Sequence, residues 1–398
     1  MSRIIVDNLK VEELLTRRIG NFEGRENIWP SREEAEKRLK EERLRIYLGI
    51  DPTGPSLHLG HTIPLLFLKQ LLELKLGHTP VLVIGDFTAA IGDPTGKDTT
   101  RKPLSDKEIK DNMNNYFDQV HKILPKKSFE VKHNSSWLAK MSLKDFMNIA
   151  GNLSVYQLEA RSMFRDRKEK GNPLGVHEFL YPVLQGYDSV AMDIDGEVGG
   201  NDQTFNMLIG RDLEKKLLNK DKLVFATELL VEEESGRKMS KTEGGLISLS
   251  DSPKDMFGKV MKTIPDGEMI SKVFKLCTEK PMQWIEDRKR ADPYEFKKEL
   301  AFELVKIYHG EMEAEKATDE WNRIFSRREY PNEMEEVEKR KLIELVGIVM
   351  QSSSTSAKML INQGAVKVNG EVKKEWNFVP SEGDIIQIGP RKFVKIVR

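Results

Sequence analysis

The chain contains one cysteine, Cys277, among 398 residues. No internal disulfide can form, and no zinc site can rest on thiolates. Charge of one sign is not in excess either, because 64 Lys and Arg balance 64 Asp and Glu. That argues against a protein that coats nucleic acid indiscriminately, while leaving room for a local basic face. No apolar run approaches the roughly 20 residues of a membrane-spanning helix. The segment Met1-Ser2-Arg3-Ile4-Ile5-Val6-Asp7 lacks the apolar core of a signal peptide. Internal repeats and low-complexity tracts are absent too. The expectation is a soluble cytoplasmic protein, long enough for two or three domains.

The pattern that is present points to an α/β fold. Residues 1–43 read as charged and helical, with no assigned role. Leu44 to Ile50 is a short apolar run before a Pro/Gly turn and predicts a buried parallel strand. Apolar residues at helical spacing from His58 to Leu76 predict a helix ended by Gly77, and Pro80 to Gly85 predicts the next strand. Strand, helix and strand in this order make a βαβ unit, with ligands expected at the strand C-terminal ends. Residues 98–175 read as a mostly helical insertion. Tyr181 to Val190 predicts an amphipathic helix, Gly199-Gly200-Asn201 a sharp turn, Asp202 to Leu217 a helix, and Leu223 to Ala226 a strand. From Ser252 to Arg327 the pattern is helical, broken at Pro265, Pro281 and Pro293. The last part alternates as strands do, and Asn369-Gly370 signals a hairpin.

Two distant segments carry chemistry. His58-Leu59-Gly60-His61 opens a helix after Asp51-Pro52-Thr53-Gly54-Pro55, and Lys238-Met239-Ser240-Lys241-Thr242 lies in a polar, Gly-containing loop. Imidazoles at a helix N-terminus add donors to its free N–H groups, and a loop that closes on phosphate needs glycine's freedom. Read alone, the histidines would serve as an ordinary cap or half a metal site, and the lysines as solvated charges. No third ligand stands at a metal-binding spacing, so no metal site is assigned. Gly92-Asp93-Pro94-Thr95-Gly96-Lys97 imitates a P-loop but has three residues between its glycines instead of four, and Asp98 replaces the magnesium-binding hydroxyl. Its parts make sense separately: Asp93 for an ammonium group, Lys97 and Arg101 for a departing pyrophosphate. Tyr181, Gln185 and Asp188 share one helix face, as a polar pocket for an amino acid requires.

Together these residues resemble the bacterial-type tyrosyl-tRNA synthetases, a family of class I aminoacyl-tRNA synthetases. The resemblance runs through Tyr47 to Thr53 with His58 to His61, Ile91 to Lys97, Asn134 to Trp137, Tyr181 to Asp188, Gly199 to Gln203 and the Lys238 to Thr242 loop. It implies a Rossmann-like parallel-sheet catalytic domain over 1–248, a helical anticodon-arm-binding domain over 249–330, and an RNA-binding domain of the ribosomal S-four type over 341–398. It implies that Tyr47 and Asp188 contact a tyrosine hydroxyl, that Asp93, Tyr181 and Gln185 hold its ammonium group, and that Gln203 lies near its carboxylate. Thr53, His58 and His61 would contact ATP, with Gly49, Asp51 and Gly60 beside them. Gly200 and Asp202 would contact ribose, and Leu230 and Val231 adenine. Lys97, Arg101, Lys238, Lys241 and Thr242 would stabilise pyrophosphate. Leu59 and Thr242 stand where isoleucine and serine are common. Leu48 stands where some members have a ribose-contacting cysteine.

The implied reaction activates L-tyrosine with ATP, magnesium expected with it, and passes tyrosine to its tRNA. The implied assembly is a homodimer, with no membrane partner. Residues 341–398 carry nine Lys and Arg against five acids, an excess of four that suits RNA backbone. Tryptophanyl-tRNA synthetase shares the architecture, but Asp188 with Tyr47 favours a hydroxyl-bearing substrate. A cofactor-making nucleotidyltransferase would not need the RNA-facing tail, and a non-catalytic RNA-binding protein would not need the signature histidines and lysines.

Overall fold

The computed structural model describes residues 6–22, 25–93, 104–159, 162–231, 246–290, 292–326, 330, 334–389 and 392–398. The chain falls into two compact units, Met1–Glu311 and Met312–Arg398. The helices expected as a domain of their own after residue 249 lie, up to His309, in the first unit.

The first unit is built on a six-stranded sheet. Its order is Ile28–Trp29, Leu223–Thr227, Gly196–Gly200, Arg45–Ile50, Thr79–Ile84 and Glu130–His133. Five of these pair in parallel, and the short Ile28–Trp29 edge pairs antiparallel. Central strands are buried on both faces, hence the continuous apolar runs at Val81–Ile84 and Leu223–Ala226. From Arg45–Ile50 the chain builds outward to Thr79–Ile84 and Glu130–His133, then returns to the other side at Gly196–Gly200. The order therefore reverses beside Arg45–Ile50. A parallel sheet opens a crevice at such a point, outside the strand C-termini.

The helix Leu59–Glu73 makes the first crossover. Leu65, Phe67, Leu68 and Leu71 are fully buried on it, each contributing about 2 kcal/mol by burial. It ends before Gly77: Lys75 already takes a left-handed φ of 56°, and Gly77 follows at 85°. Besides the two-residue edge Ile28–Trp29, within a stretch read as helical, two longer strands of this sheet escape the sequence pattern. Glu130–His133 lies inside the insertion expected to be helical; it is a four-residue edge with no apolar run. Gly199 and Gly200 close a buried strand instead of forming the expected turn, and the turn is the short 3-10 helix Asn201–Gln203 after them. A side chain at Gly200 would force its neighbours to move. A Cβ on Gly200 would lie 2.7 Å from Asp202 Oδ1 and 2.9 Å from Leu229 Cδ2.

Residues 6–43 are more than a charged helix. Arg17 and Arg18 reach the carbonyls that end the helix Glu268–Cys277. Arg17 Nε donates to Lys275 O at 2.9 Å, Arg18 Nε donates to Leu276 O at 3.0 Å, and both guanidinium groups donate to Thr278 O. Orphan carbonyls at a helix C-terminus favour such cations. Burial pushes Arg18 down to about 10.

The second unit holds a five-stranded sheet whose core includes Leu342, Val346, Ile361, Val366, Ile386 and Val394. The expected hairpin is present: Val368 faces Glu371 across Asn369 (φ 50°) and Gly370 (φ 89°), the two left-handed positions of a tight type I′ turn.

Candidate active site

A cavity of about 340 Å³ opens at the C-terminal ends of Arg45–Ile50 and Gly196–Gly200, where the strand order reverses. All six residues expected around tyrosine line it: Tyr47, Asp93, Tyr181, Gln185, Asp188 and Gln203. So do Gly49, Asp51, Thr53, His58, Gly60, His61, Gly200, Asp202 and Leu230 of the ATP set. Val231 is not among its lining residues. Lys97, Arg101, Lys238, Lys241 and Thr242 lie outside the described residues. The described residues on either side of 232–245 do border the cavity, through Leu229, Leu230, Leu246 and Ile247. The later flank is tied to the histidine segment: Leu59 N–H donates to Ile247 O at 3.2 Å, and Leu249 N–H donates to Leu57 O at 2.9 Å.

His58 and His61 do cap the helix, and in doing so fix their own chemistry. Gly60 N–H donates to His58 Nδ1 at 3.1 Å, and His58 N–H donates to His61 Nδ1 at 3.2 Å. A ring nitrogen that accepts carries no proton, so each neutral imidazole holds its hydrogen on Nε2. The rings lie 3.8 Å apart. Burial, then the neighbouring His58, lowers His61 to about 3. His61 is therefore a neutral donor and brings no positive charge to the site.

The helix Val176–Met192 presents Tyr181, Gln185 and Asp188 to the cavity, as its spacing predicts. Asp188, only 4% exposed, accepts from Trp137 Nε1 at 2.8 Å and Asn134 Nδ2 at 3.3 Å. Burial raises its carboxyl to about 8, against the pull of those two donors. Tyr181 O–H donates to Asp51 Oδ2 at 2.8 Å, and Thr88 Oγ1–H donates to Asp51 Oδ1 at 2.7 Å. Gln203 Nε2 donates to Asp93 Oδ2 at 2.7 Å, and Asn206 Nδ2 donates to both Gln185 Oε1 (2.8 Å) and Gln203 Oε1 (2.9 Å). The carboxamides are thus oriented before any ligand arrives. Tyr47 lies beneath them, its hydroxyl 3.1 Å from Ser189 Oγ. Burial raises its phenol well above the ordinary value.

Some residues of the site had no role assigned from sequence; of the four, Asn134, Thr88 and Glu197 line the cavity, and Trp137 reaches Asp188 beside it. Asn134 and Trp137 lay in a recognised segment; the edge strand before them explains their approach to Asp188. Thr88 and Glu197 carried no signal at all. Among the described residues no group of three or more His, Cys, Asp or Glu could hold a metal ion by itself.

The family described as "tRNA synthetases class I (W and Y)" matches residues 39–326. The tyrosine–tRNA ligase 2 of Vibrio parahaemolyticus is 40% identical over 386 residues, covering 94% of this chain and 96% of that protein. The tyrosine–tRNA ligase of Aquifex aeolicus is 40% identical over 374 residues, covering 92% and 94%. The chain belongs to the tyrosyl-tRNA synthetase family. The tryptophan alternative is set aside, since these full-length relatives are tyrosine–tRNA ligases. The fold agrees with solved members of the family. A truncated mitochondrial tyrosyl-tRNA synthetase of Aspergillus nidulans superposes with a TM-score of 0.65 at 24% identity, covering 79% of this chain and 94% of that one. That of Archaeoglobus fulgidus, solved with L-tyrosine, gives 0.61 at 21%, covering 78% and 99%.

Proposed function

We propose that the chain activates L-tyrosine with ATP to tyrosyl adenylate and pyrophosphate, then transfers tyrosine to the 3′ end of its tRNA. The observation that carries this reading is the meeting, in one cavity at the sheet's switch point, of the helix bearing Asp188 with the N-terminus bearing His58 and His61. In the first step a tyrosine carboxylate oxygen bonds to the α-phosphorus as the bond to the bridging oxygen breaks, and pyrophosphate leaves with that electron pair. The carboxylate is already ionised, so no general base is needed. Catalysis is positioning plus stabilisation of charge on the leaving group. His58 and His61 supply Nε2–H donors, and Lys97, Arg101, Lys238, Lys241 and Thr242 supply the remaining donors and positive charge. Gly200 and Asp202 take ribose, and Leu230 and Val231 adenine. Magnesium enters with ATP as part of the substrate.

Specificity follows from the buried floor. Phenylalanine would leave Asp188 and Tyr47 without the partner that tyrosine's hydroxyl provides. Tyrosine activation is itself the reference example of such rejection without editing.

The helices after residue 249 and the second unit are read as tRNA-facing surfaces, through the anticodon arm and an S-four-type fold over 341–398. The homodimer reading is supported by large apolar residues exposed close together in sequence, Leu143, Met147, Val155, Tyr156 and Val176. A cytoplasmic location agrees with the absence, among the described residues, of a helix long and apolar enough to cross a membrane. Pyrophosphate exchange with each of the twenty amino acids tests the central reading. Exchange dependent on tyrosine alone supports it, and exchange with tryptophan or with none overturns it.

A further inference from the structure

Beneath the cavity sits a buried ion pair that the reaction does not call for. Lys222 is fully buried and Glu197 is 2% exposed. Lys222 Nζ donates to Glu197 Oε2 in a very close contact and to Ser189 Oγ at 2.5 Å. It also lies 5.4 Å from the centre of the Tyr47 ring. Glu197's other oxygen accepts from Gln185 Nε2 at 3.3 Å. The helix Thr204–Leu218 is shaped around this ammonium group: a Cβ on Gly210 would meet Lys222 Nζ at 2.7 Å and Ser189 Oγ at 2.9 Å. Breaking a buried pair is costly, and apolar residues of similar volume are often no less stable. Stability alone is therefore a weak reason for a charge here.

Donor and acceptor rules supply a better one. An ammonium group only donates. Ser189 Oγ accepts from Lys222, so its own hydrogen is available to Tyr47, whose oxygen is 3.1 Å away. Glu197 also attracts Tyr47's hydrogen, and Lys222 and Gln185, bonded at its two oxygens, compete with Tyr47 for it. Burial and the charges of Glu197 and Asp188 oppose loss of that hydrogen. Tyr47 therefore keeps its hydrogen and is a donor at the cavity, where a substrate oxygen would compete with Glu197 for it, across from Asp188.

We propose that Lys222, Ser189 and Glu197 are positioning residues that set the direction of hydrogen bonding at the phenol end of the pocket. Lys222 N–H donates to Ser189, Ser189 O–H to Tyr47, Tyr47 O–H to the substrate's phenolic oxygen, and the substrate O–H to Asp188. A para-hydroxyl is the group that both accepts and donates at this point. Phenylalanine does neither, and a bare acceptor leaves Asp188 unanswered. The proposal rests on the reading of the cavity as a tyrosine site.

The test is Ser189→Ala in the full chain, which cuts the chain of hydrogen bonds and leaves the ion pair intact. A second variant, Lys222→Met with Glu197→Gln, removes both charges together. Pyrophosphate exchange gives kcat and KM for tyrosine, phenylalanine and ATP, and thermal melting reports folding. Ser189→Ala should lower tyrosine kcat/KM about tenfold, mainly through KM. Phenylalanine kcat/KM and the KM for ATP should hold, and the paired variant should shift selectivity the same way. A tyrosine-to-phenylalanine ratio within twofold of wild type in Ser189→Ala overturns the proposal. So does an equal loss for both amino acids, which marks a structural role only. If the paired variant fails to fold, Ser189→Ala alone decides. Wild type that does not prefer tyrosine would instead sink the pocket reading itself.

Discussion

Trp137 Nε1 donates to Asp188 Oδ1 at 2.8 Å, from a short helix that begins directly after the sheet's outermost strand. The acceptor we propose for the substrate's hydroxyl is thus held by an indole delivered from a different part of the chain. Asp188→Asn replaces that acceptor with a group half donor. Tyrosine-over-phenylalanine selectivity in pyrophosphate exchange should fall by roughly 10- to 100-fold, as for a hydrogen bond to a charged group. Trp137→Phe should produce a smaller loss of the same kind, because Asn134 remains bonded to Asp188. Unchanged selectivity in Asp188→Asn would remove Asp188 from the substrate site.

Ionisation of Asp188 gives the pocket a pH dependence. Its folded value of about 8 lies above the ordinary carboxyl value of 3.8. The folded chain therefore holds a proton that the unfolded chain releases, and this contribution to stability is present at low pH and fades as pH rises through 8. Tyrosine recognition runs the other way, since the carboxylate is the stronger acceptor. KM for tyrosine should fall between pH 6.5 and 8.5 in wild type, and the change should flatten in Asp188→Asn. A flat wild-type profile would contradict this.

His61 has the opposite sign. Its folded value of about 3 lies below the ordinary 6.5. Between these values the unfolded chain binds the extra proton, so His61's contribution is full above pH 6.5 and declines as pH falls toward 3. Urea unfolding at pH 7 and pH 5 should show more acid destabilisation in wild type than in His61→Asn. That variant keeps an acceptor for His58 N–H and should cost little at pH 7, whereas His61→Leu should cost about 1 kcal/mol through the lost cap. Equal acid sensitivity in wild type and His61→Asn would refute the neutral-imidazole assignment.

The residues that line the cavity were legible because the spacing of Tyr181, Gln185 and Asp188 on one helix, and of His58 and His61 at the start of another, encodes their facing directly. What escaped has no local period. Glu130–His133 is too short and too exposed to alternate, and Gly196–Gly200 has a single strand-forming side chain, Val198, among three glycines. Lys222 and Glu197 read as ordinary charges until the sheet brings them under Tyr47. Arg17 and Arg18 likewise gain meaning only from carbonyls some 260 residues away. Positions that act through long-range neighbours leave no pattern in a single chain.

The second unit has a hydrophobic core of its own, with Leu342, Leu345, Ile361, Val366 and Ile386 each fully buried among its other apolar residues. No described residue of that unit lines the cavity. A chain ended after residue 330 should therefore retain tyrosine-dependent pyrophosphate exchange within about twofold while charging tRNA much less efficiently. The excess of four positive charges over residues 341–398 sets the form of that loss. Phosphate contacts release counterions, so affinity for tRNA falls with salt at a slope near 0.7 to 0.9 per contact. Removing these contacts should flatten the salt dependence of KM for tRNA as well as raise KM. A shortened chain that charges tRNA with the wild-type salt slope would show that this unit does not grip RNA. A shortened chain that cannot form adenylate would show that it supports the catalytic unit after all.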